Sequence, residues 1–209
     1  MTRLLNQLII LTLSTSNSLF AMNNKNEIKN ADNHTLSNYS QIRVSHVHLD
    51  LTVDFSQKEL TGFAELSFQK QTETNILVLD TKYLLIDHIE DQNENKLDFN
   101  YLEADELLGT PLSIQLNDSC KLVKVFYKTT AKSEALDWLS SNQTAGKNFP
   151  FMYTQGQSIF TRSWIPIQDT PGIRVTYSAD ITVPDGMLAV MSASNPQRTN
   201  SSNRYHFEM

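Results

Sequence analysis

Between Ile173 and Val183 the chain alternates without a break. Ile173, Val175, Tyr177, Ala179, Ile181 and Val183 fall on one side of an extended backbone, with Arg174, Thr176, Ser178, Asp180 and Thr182 on the other. A period of two is that of a β-strand with one face covered and the other in water. Such a pattern commits the chain to a sheet in fixed register, because a slip of one residue would turn every apolar side chain outward. Pro184, Asp185 and Gly186 then stop the strand with turn chemistry. The same alternation appears near the start. Val47, Leu49, Leu51, Val53 and Phe55 oppose His46, His48, Asp50, Thr52 and Asp54, as in a half-buried antiparallel strand. Ser56 to Glu59 reads as a turn, and Gly62, Ala64, Leu66 and Phe68 as the returning partner.

The remaining elements are shorter. Ile76 to Leu79 is a continuous apolar run, predicted as a strand covered on both faces, and Leu84 to Ile89 as another. Asp91 to Asn95 carries turn residues before the alternating Leu97, Phe99 and Tyr101. Leu112, Ile114 and Leu116 alternate, as do Val123, Val125 and Tyr127. Met187 to Met191 is predicted as a further apolar strand, and Arg204 to Glu208 as a closing one. Only Ala131 to Ser141, through Ala135, Leu136 and Leu139, suggests a helical turn. Strands at such intervals, with almost no helical periodicity, predict an all-β, sandwich-like architecture. A hydrophobic content of 40% supplies a core for it.

A formal charge of -6, with no cluster of Lys or Arg, excludes a phosphate-backbone footprint and with it nucleic acid as a partner. The single Cys120 has no internal disulfide partner and reads as a strand-end residue. The His46, His48 and Asp50 face invites a metal-site reading, but no third ligand is identifiable, and a solvated or interface strand face is the favoured reading. Residues 1–21 read as a signal peptide. Arg3 gives a positive start, Leu4 to Leu13 an apolar core too short to span a membrane, and Ser18 to Ala21 a cleavage site. The expectation is export, to a periplasm or the exterior. Residues 22–40, Asn-rich and poor in apolar side chains, are expected to be a disordered linker before a domain at 41–209.

The most informative stretch is Tyr153 to Pro171. Gln155 and Gln157 flank Gly156 after Thr154, with Arg162 and then Pro166, Asp169 and Pro171 further along. This order, Thr-Gln-x-Gln, Arg, then Pro-x-x-Asp-x-Pro, resembles the segment that the N-terminal domain of gluzincin-class zinc aminopeptidases contributes to the active site. The leukotriene hydrolase/aminopeptidase branch, with Gln at the second amide position where most relatives have Glu, is the nearest likeness. The resemblance runs from about Ser45 to Met209. It takes in His48 to Phe55, Ala135 to Leu139, Gln143 to Lys147, Val183 to Asp185 and Leu188 to Ser192. It implies a saddle-like assembly of packed, mostly antiparallel β-sheets.

The catalytic motifs of that family, Gly-x-Met-Glu-Asn and the zinc site His-Glu-x-x-His, do not occur in these 209 residues. The resemblance therefore implies a substrate-binding domain truncated before its catalytic domain, with no catalytic residue and no metal ligand of its own. Zinc, a catalytic domain as partner and a peptide N-terminus as ligand would belong to the complete enzyme. In such an enzyme the α-ammonium group offers only donors, so the site needs acceptors on a rigid element. The amide oxygens of Gln155 and Gln157 are the candidates, and Gly156 lets a ligand approach the main chain. The alternative is that both amides satisfy local backbone groups. Arg162 and Asp169 are expected to form a buried ion pair or backbone clamp that fixes the loop. Trp164, Tyr205 and Phe207 are expected on an apolar surface that a catalytic domain covers. A stand-alone, non-catalytic β module that binds peptides or a protein partner is the competing reading of the whole chain.

Overall fold

The computed structural model describes residues 32–209. The expected signal peptide and residues 22–31 of the expected linker lie outside them. Residues 32–40 do not behave as a linker. Thr35 is buried and its hydroxyl bonds the Asp80 carboxylate, while Leu36 N–H donates to Asp80 Oδ1 at 2.8 Å. Polar side chains with buried partners order this stretch in place of an apolar core.

The architecture is all-β, as expected. The strands are β1 (Ile42–Asp54), β2 (Glu59–Lys70), β3 (Ile76–Leu79), β4 (Leu85–Asp91), β5 (Phe99–Tyr101), β6 (Leu112–Gln115), β7 (Leu122–Lys128), β8 (Leu136–Leu139), β9 (Phe151–Thr154), β10 (Thr176–Thr182) and β11 (Arg204–Glu208). Six of them form one sheet in the order β11-β10-β1-β2-β7-β4; β3-β6-β5 and β8-β9 form two smaller ones. All pairings are antiparallel except β1 with β10, which run parallel in the register Val47–Tyr177 to Thr52–Thr182.

β1 is the hinge of the large sheet. Its buried residues are Ile42 and Val44, then Val47, Leu49, Leu51 and Val53, a change of parity absorbed by a bulge between Val44 and His46. One extra residue at the bulge lets both halves of the strand face the same core. Leu51 pairs with Gly62 of β2, whose φ is +153° and where an added Cβ would lie 1.9 Å from the Asp50 carbonyl oxygen. Only glycine allows the two strands to approach there. The inner face of the large sheet, with Leu49, Leu66, Val123, Ile89 and Phe207, joins Leu77, Leu79, Leu112 and Ile114 of the three-stranded sheet in one core.

Three expectations need correction. Ala131 to Ser141 forms no helical turn over its apolar residues; Leu136–Leu139 is β8, paired with β9, and only Ser141–Gln143 is a one-turn 3-10 helix. The spacing of Ala135, Leu136 and Leu139 fits either element over so short a window, and cross-strand pairing decides it. Met187 to Met191 forms no strand, because it makes no ladder with a partner among the described residues. Tyr205 and Phe207 are not surface residues, at 3% and 1% exposure. They are the inward-facing positions of β11, and the Tyr205 hydroxyl donates to Met187 O at 2.9 Å.

Candidate functional site

β9 delivers the chain to the site. The Gln155 N–H donates to Ala135 O at 2.8 Å, so the β8-β9 ladder extends one pair past Thr154. The chain then turns, with Phe160 N–H donating to Gly156 O at 2.9 Å, so Gln155 and Gln157 are not presented by a continuous extended segment. Both side chains are exposed at this turn. Gln155 Oε1 accepts a long bond, 3.4 Å, from the Gln157 N–H, and the Gln157 side-chain amide has no hydrogen bond among the described residues. The backbone-satisfying alternative thus describes Gln155 and not Gln157. Gly156 is dictated by packing, since a Cβ there would lie 2.5 Å from Thr161 Oγ1.

Beyond this turn the loop is fastened down. Arg162, within the 3-10 turn Thr161–Ser163, is fully buried. Its Nε and its main-chain N–H both donate to Asp169 Oδ2 at 3.1 Å, Nη1 donates to Leu108 O at 2.9 Å, and Nη2 donates to His34 O at 2.6 Å and Asp169 O at 2.8 Å. Asp80 Oδ1 lies 3.7 Å from Nη1 as a second counter-charge. Burial pushes the Asp80 carboxyl above the usual aspartate value, and the bond from Thr35 and the charge of Arg162 oppose that. The expected clamp of Arg162 and Asp169 is therefore present, and it is larger than expected.

Four residues that fasten the loop are not legible in the sequence: Asp80 and Thr35 at the clamp, and Ser163 and Gln168 beside it. The buried Gln168 amide donates to Ile42 O at 2.7 Å and accepts from Val44 N–H at 3.0 Å, so it satisfies the backbone of β1 at the bulge. Ser163 Oγ accepts from Ala135 N–H at 3.0 Å and donates to Phe160 O at 2.7 Å. The one local signal is Asp80, a carboxylate directly after an apolar strand. Trp164 is half-buried against the core beside Ile165 and Ile167.

The outer face of the large sheet holds the two β1 histidines in ordinary cross-strand bonds. His46 Nδ1 is 2.8 Å from Thr176 Oγ1, His48 Nδ1 is 2.8 Å from Ser178 Oγ, and Arg204 donates to both Asp50 oxygens. Among the described residues no group of three or more His, Cys, Asp or Glu is placed to hold a metal ion. The described residues do not fit a zinc site.

The fold has counterparts among known proteins. The peptidase M1 N-terminal domain matches residues 37–209, and the chain belongs to that family. It is 37% identical over 177 residues to leucine aminopeptidase 2 of Neosartorya fischeri, covering 81% of this chain and 28% of that protein. It is 35% identical over 169 residues to leukotriene A-4 hydrolase of Xenopus laevis, covering 78% and 28%. The structure of native yeast LTA4 hydrolase superposes with a TM-score of 0.77 at 34% identity, covering 88% of this chain and 29% of that one. An M1 zinc metallopeptidase from Deinococcus radiodurans, at 18% identity and a TM-score of 0.59, shares the fold. The chain thus spans under a third of the length of the curated relatives it matches.

Proposed function

We propose that this domain is the substrate-side part of an exported zinc aminopeptidase, and that Gln155 and Gln157, set around Gly156, receive the α-ammonium group of a peptide. The observation that carries the reading is an exposed amide pair on a turn that a buried arginine clamp holds in place, in a member of the M1 N-terminal family. A free Gln157 amide oxygen has unused acceptor capacity, and the clamp keeps its backbone from drifting. Gln in place of Glu keeps this acceptor neutral, which suits a substrate pocket that also takes uncharged molecules.

The zinc and the groups that activate water belong, in this reading, to a catalytic domain that acts as partner. No step of peptide hydrolysis is assigned to the residues of this chain. Their contribution is to bind and orient the substrate N-terminus. The apolar N-terminal run and the Ala21 cleavage signal support export.

A chimera tests the proposal. Residues 32–209 replace the matching segment of yeast LTA4 hydrolase, and the purified, zinc-loaded protein is assayed on alanyl and arginyl arylamides. Retained turnover supports the reading. A chimera that folds and holds zinc stoichiometrically yet cleaves neither substrate contradicts it.

A further inference from the structure

β3 is an outer strand of the three-stranded sheet, and residues 32–38 run beside it from Asp80 back to Ile76. They are held there mostly by side chains. The Asn38 amide stands in for a strand residue: its Oδ1 accepts from Val78 N–H at 2.8 Å and its Nδ2 donates to Ile76 O at 2.7 Å. The Thr35 hydroxyl donates to Asp80 Oδ2, and Leu36 N–H donates to Asp80 Oδ1 at 2.8 Å. His34 O accepts from Arg162 Nη2 at 2.6 Å, and the Asp32 carboxylate accepts from the Thr170 hydroxyl.

The contacts of residues 32–36 converge on the loop that carries the amide turn. Arg162 and Thr170 belong to that loop, and Asp80 is bound to it twice over. Its Oδ2 accepts from Asp169 N–H at 2.9 Å, and its main chain exchanges both bonds with Ile167, at 2.8 and 3.2 Å. Arg162 follows Thr161, whose Oγ1 would lie 2.5 Å from a Cβ at position 156. Contact between the 3-10 turn and Gly156 is therefore close enough that a shift of one displaces the other. Among residues 32–38 only Thr35 is buried, while Asn33, His34 and Leu36 are exposed. Polar contacts, and not a core, keep this stretch in place. A segment with so few buried apolar contacts can open while the sheets stay closed.

We infer that residues 32–38 are a strap that positions the amide turn for its substrate, with Thr35 as a positioning residue. N-terminal processing that stops before Asp32 leaves the site assembled, and processing past Asn38 loosens it while the sheets stay folded. The strap acts on substrate only if the turn binds a peptide amine, as proposed above.

Thr35→Val removes the hydroxyl at nearly constant volume, and Thr35→Ser keeps it. In the 209-residue chain, Thr35→Val is expected to speed hydrogen exchange at Phe160, Ser163, Trp164 and Ile165 by about tenfold, with Ala64 and Val125 of the large sheet unchanged. Thr35→Ser is expected to restore the wild-type rates. In the chimera with yeast LTA4 hydrolase, residues 39–209 in place of 32–209 are expected to raise KM for free-amine peptides about tenfold, with kcat held within about twofold and N-acetylated peptides unaffected. Unchanged exchange in Thr35→Val, acceleration of Ala64 and Val125 to the same degree, or an unchanged KM beside faster loop exchange would each overturn the inference. If the shortened chimera does not fold, Thr35→Val in the longer one carries the same KM test. The exchange measurement needs no turnover, so a chimera that cleaves nothing contradicts the proposed function, and exchange alone then decides whether the strap holds the turn.

Discussion

Asp91 closes the turn after β4 by accepting from the N–H groups of Asn93 and Asn95, at 2.8 and 3.0 Å, and from the Asn95 side chain. These bonds favour the carboxylate and hold its pKa below the usual 3.8. Asp54 does the same in the β1-β2 turn through Ser56 and Gln57. A depressed pKa stabilises the folded state above the unfolded value and loses that contribution as pH falls through the folded one. Asp80 runs the other way: its raised pKa favours the folded state below 3.8 and ceases to as pH rises through the folded value. The domain is therefore expected to lose stability mainly below about pH 4. Asp91→Asn should melt at a lower temperature than wild type at pH 7, and the gap should narrow by about pH 2.5. Parallel melting curves across that range, followed by circular dichroism, would show that Asp91 makes no such contribution.

Among the elements, the loop from Gln155 to Thr170 is held by one side chain more than any other. Arg162 ties the 3-10 turn to Asp169, to Leu108 after β5 and to His34 before β1. Its removal would leave Asp80 and Asp169 without their buried counter-charge, a loss of about 3–5 kcal/mol. Arg162→Ala is expected to cost that much in urea unfolding, and Arg162→Lys to recover only part, because a point charge cannot reach three carbonyls and a carboxylate. A loss below about 1 kcal/mol would place the clamp among ordinary surface pairs. The strands are legible in the sequence where alternation is long, as in β1, β2 and β10. They are not legible where pairing decides. β8 sits on a spacing that also fits a helical turn, and 187–191 has strand composition without a partner. The Arg162–Asp169 pair is legible because both members lie in one continuous stretch with the proposed amides. Asp80, Thr35 and the contact of Gln168 with β1 join positions far apart in sequence, and beyond the placement of Asp80 directly after an apolar strand nothing local announces such contacts.

Taken as a unit, the domain is a β scaffold that fixes one loop. It belongs to the peptidase M1 N-terminal family, and it covers under a third of the relatives it matches. The residues that would complete a metal centre are not among those described. Purified chain is accordingly expected to take up less than stoichiometric zinc on dialysis and to leave alanyl and arginyl arylamides intact. Turnover that tracks the protein through a sizing column would contradict this.

Whether the Gln157 amide oxygen receives a substrate amine is decided by kcat/KM for matched free-amine and N-acetylated peptides in the active chimera. Gln157→Ala should lower kcat/KM for the free amine by about 1.5–3 kcal/mol, the cost of leaving a charged donor short of one acceptor. Gln157→Glu should match or exceed wild type on the same peptide. On N-acetylated peptides the three proteins should be indistinguishable, with equal melting temperatures throughout. If Gln157→Ala cleaves free-amine peptides as well as wild type does, Gln157 does not hold the amine, and the assignment of this site fails.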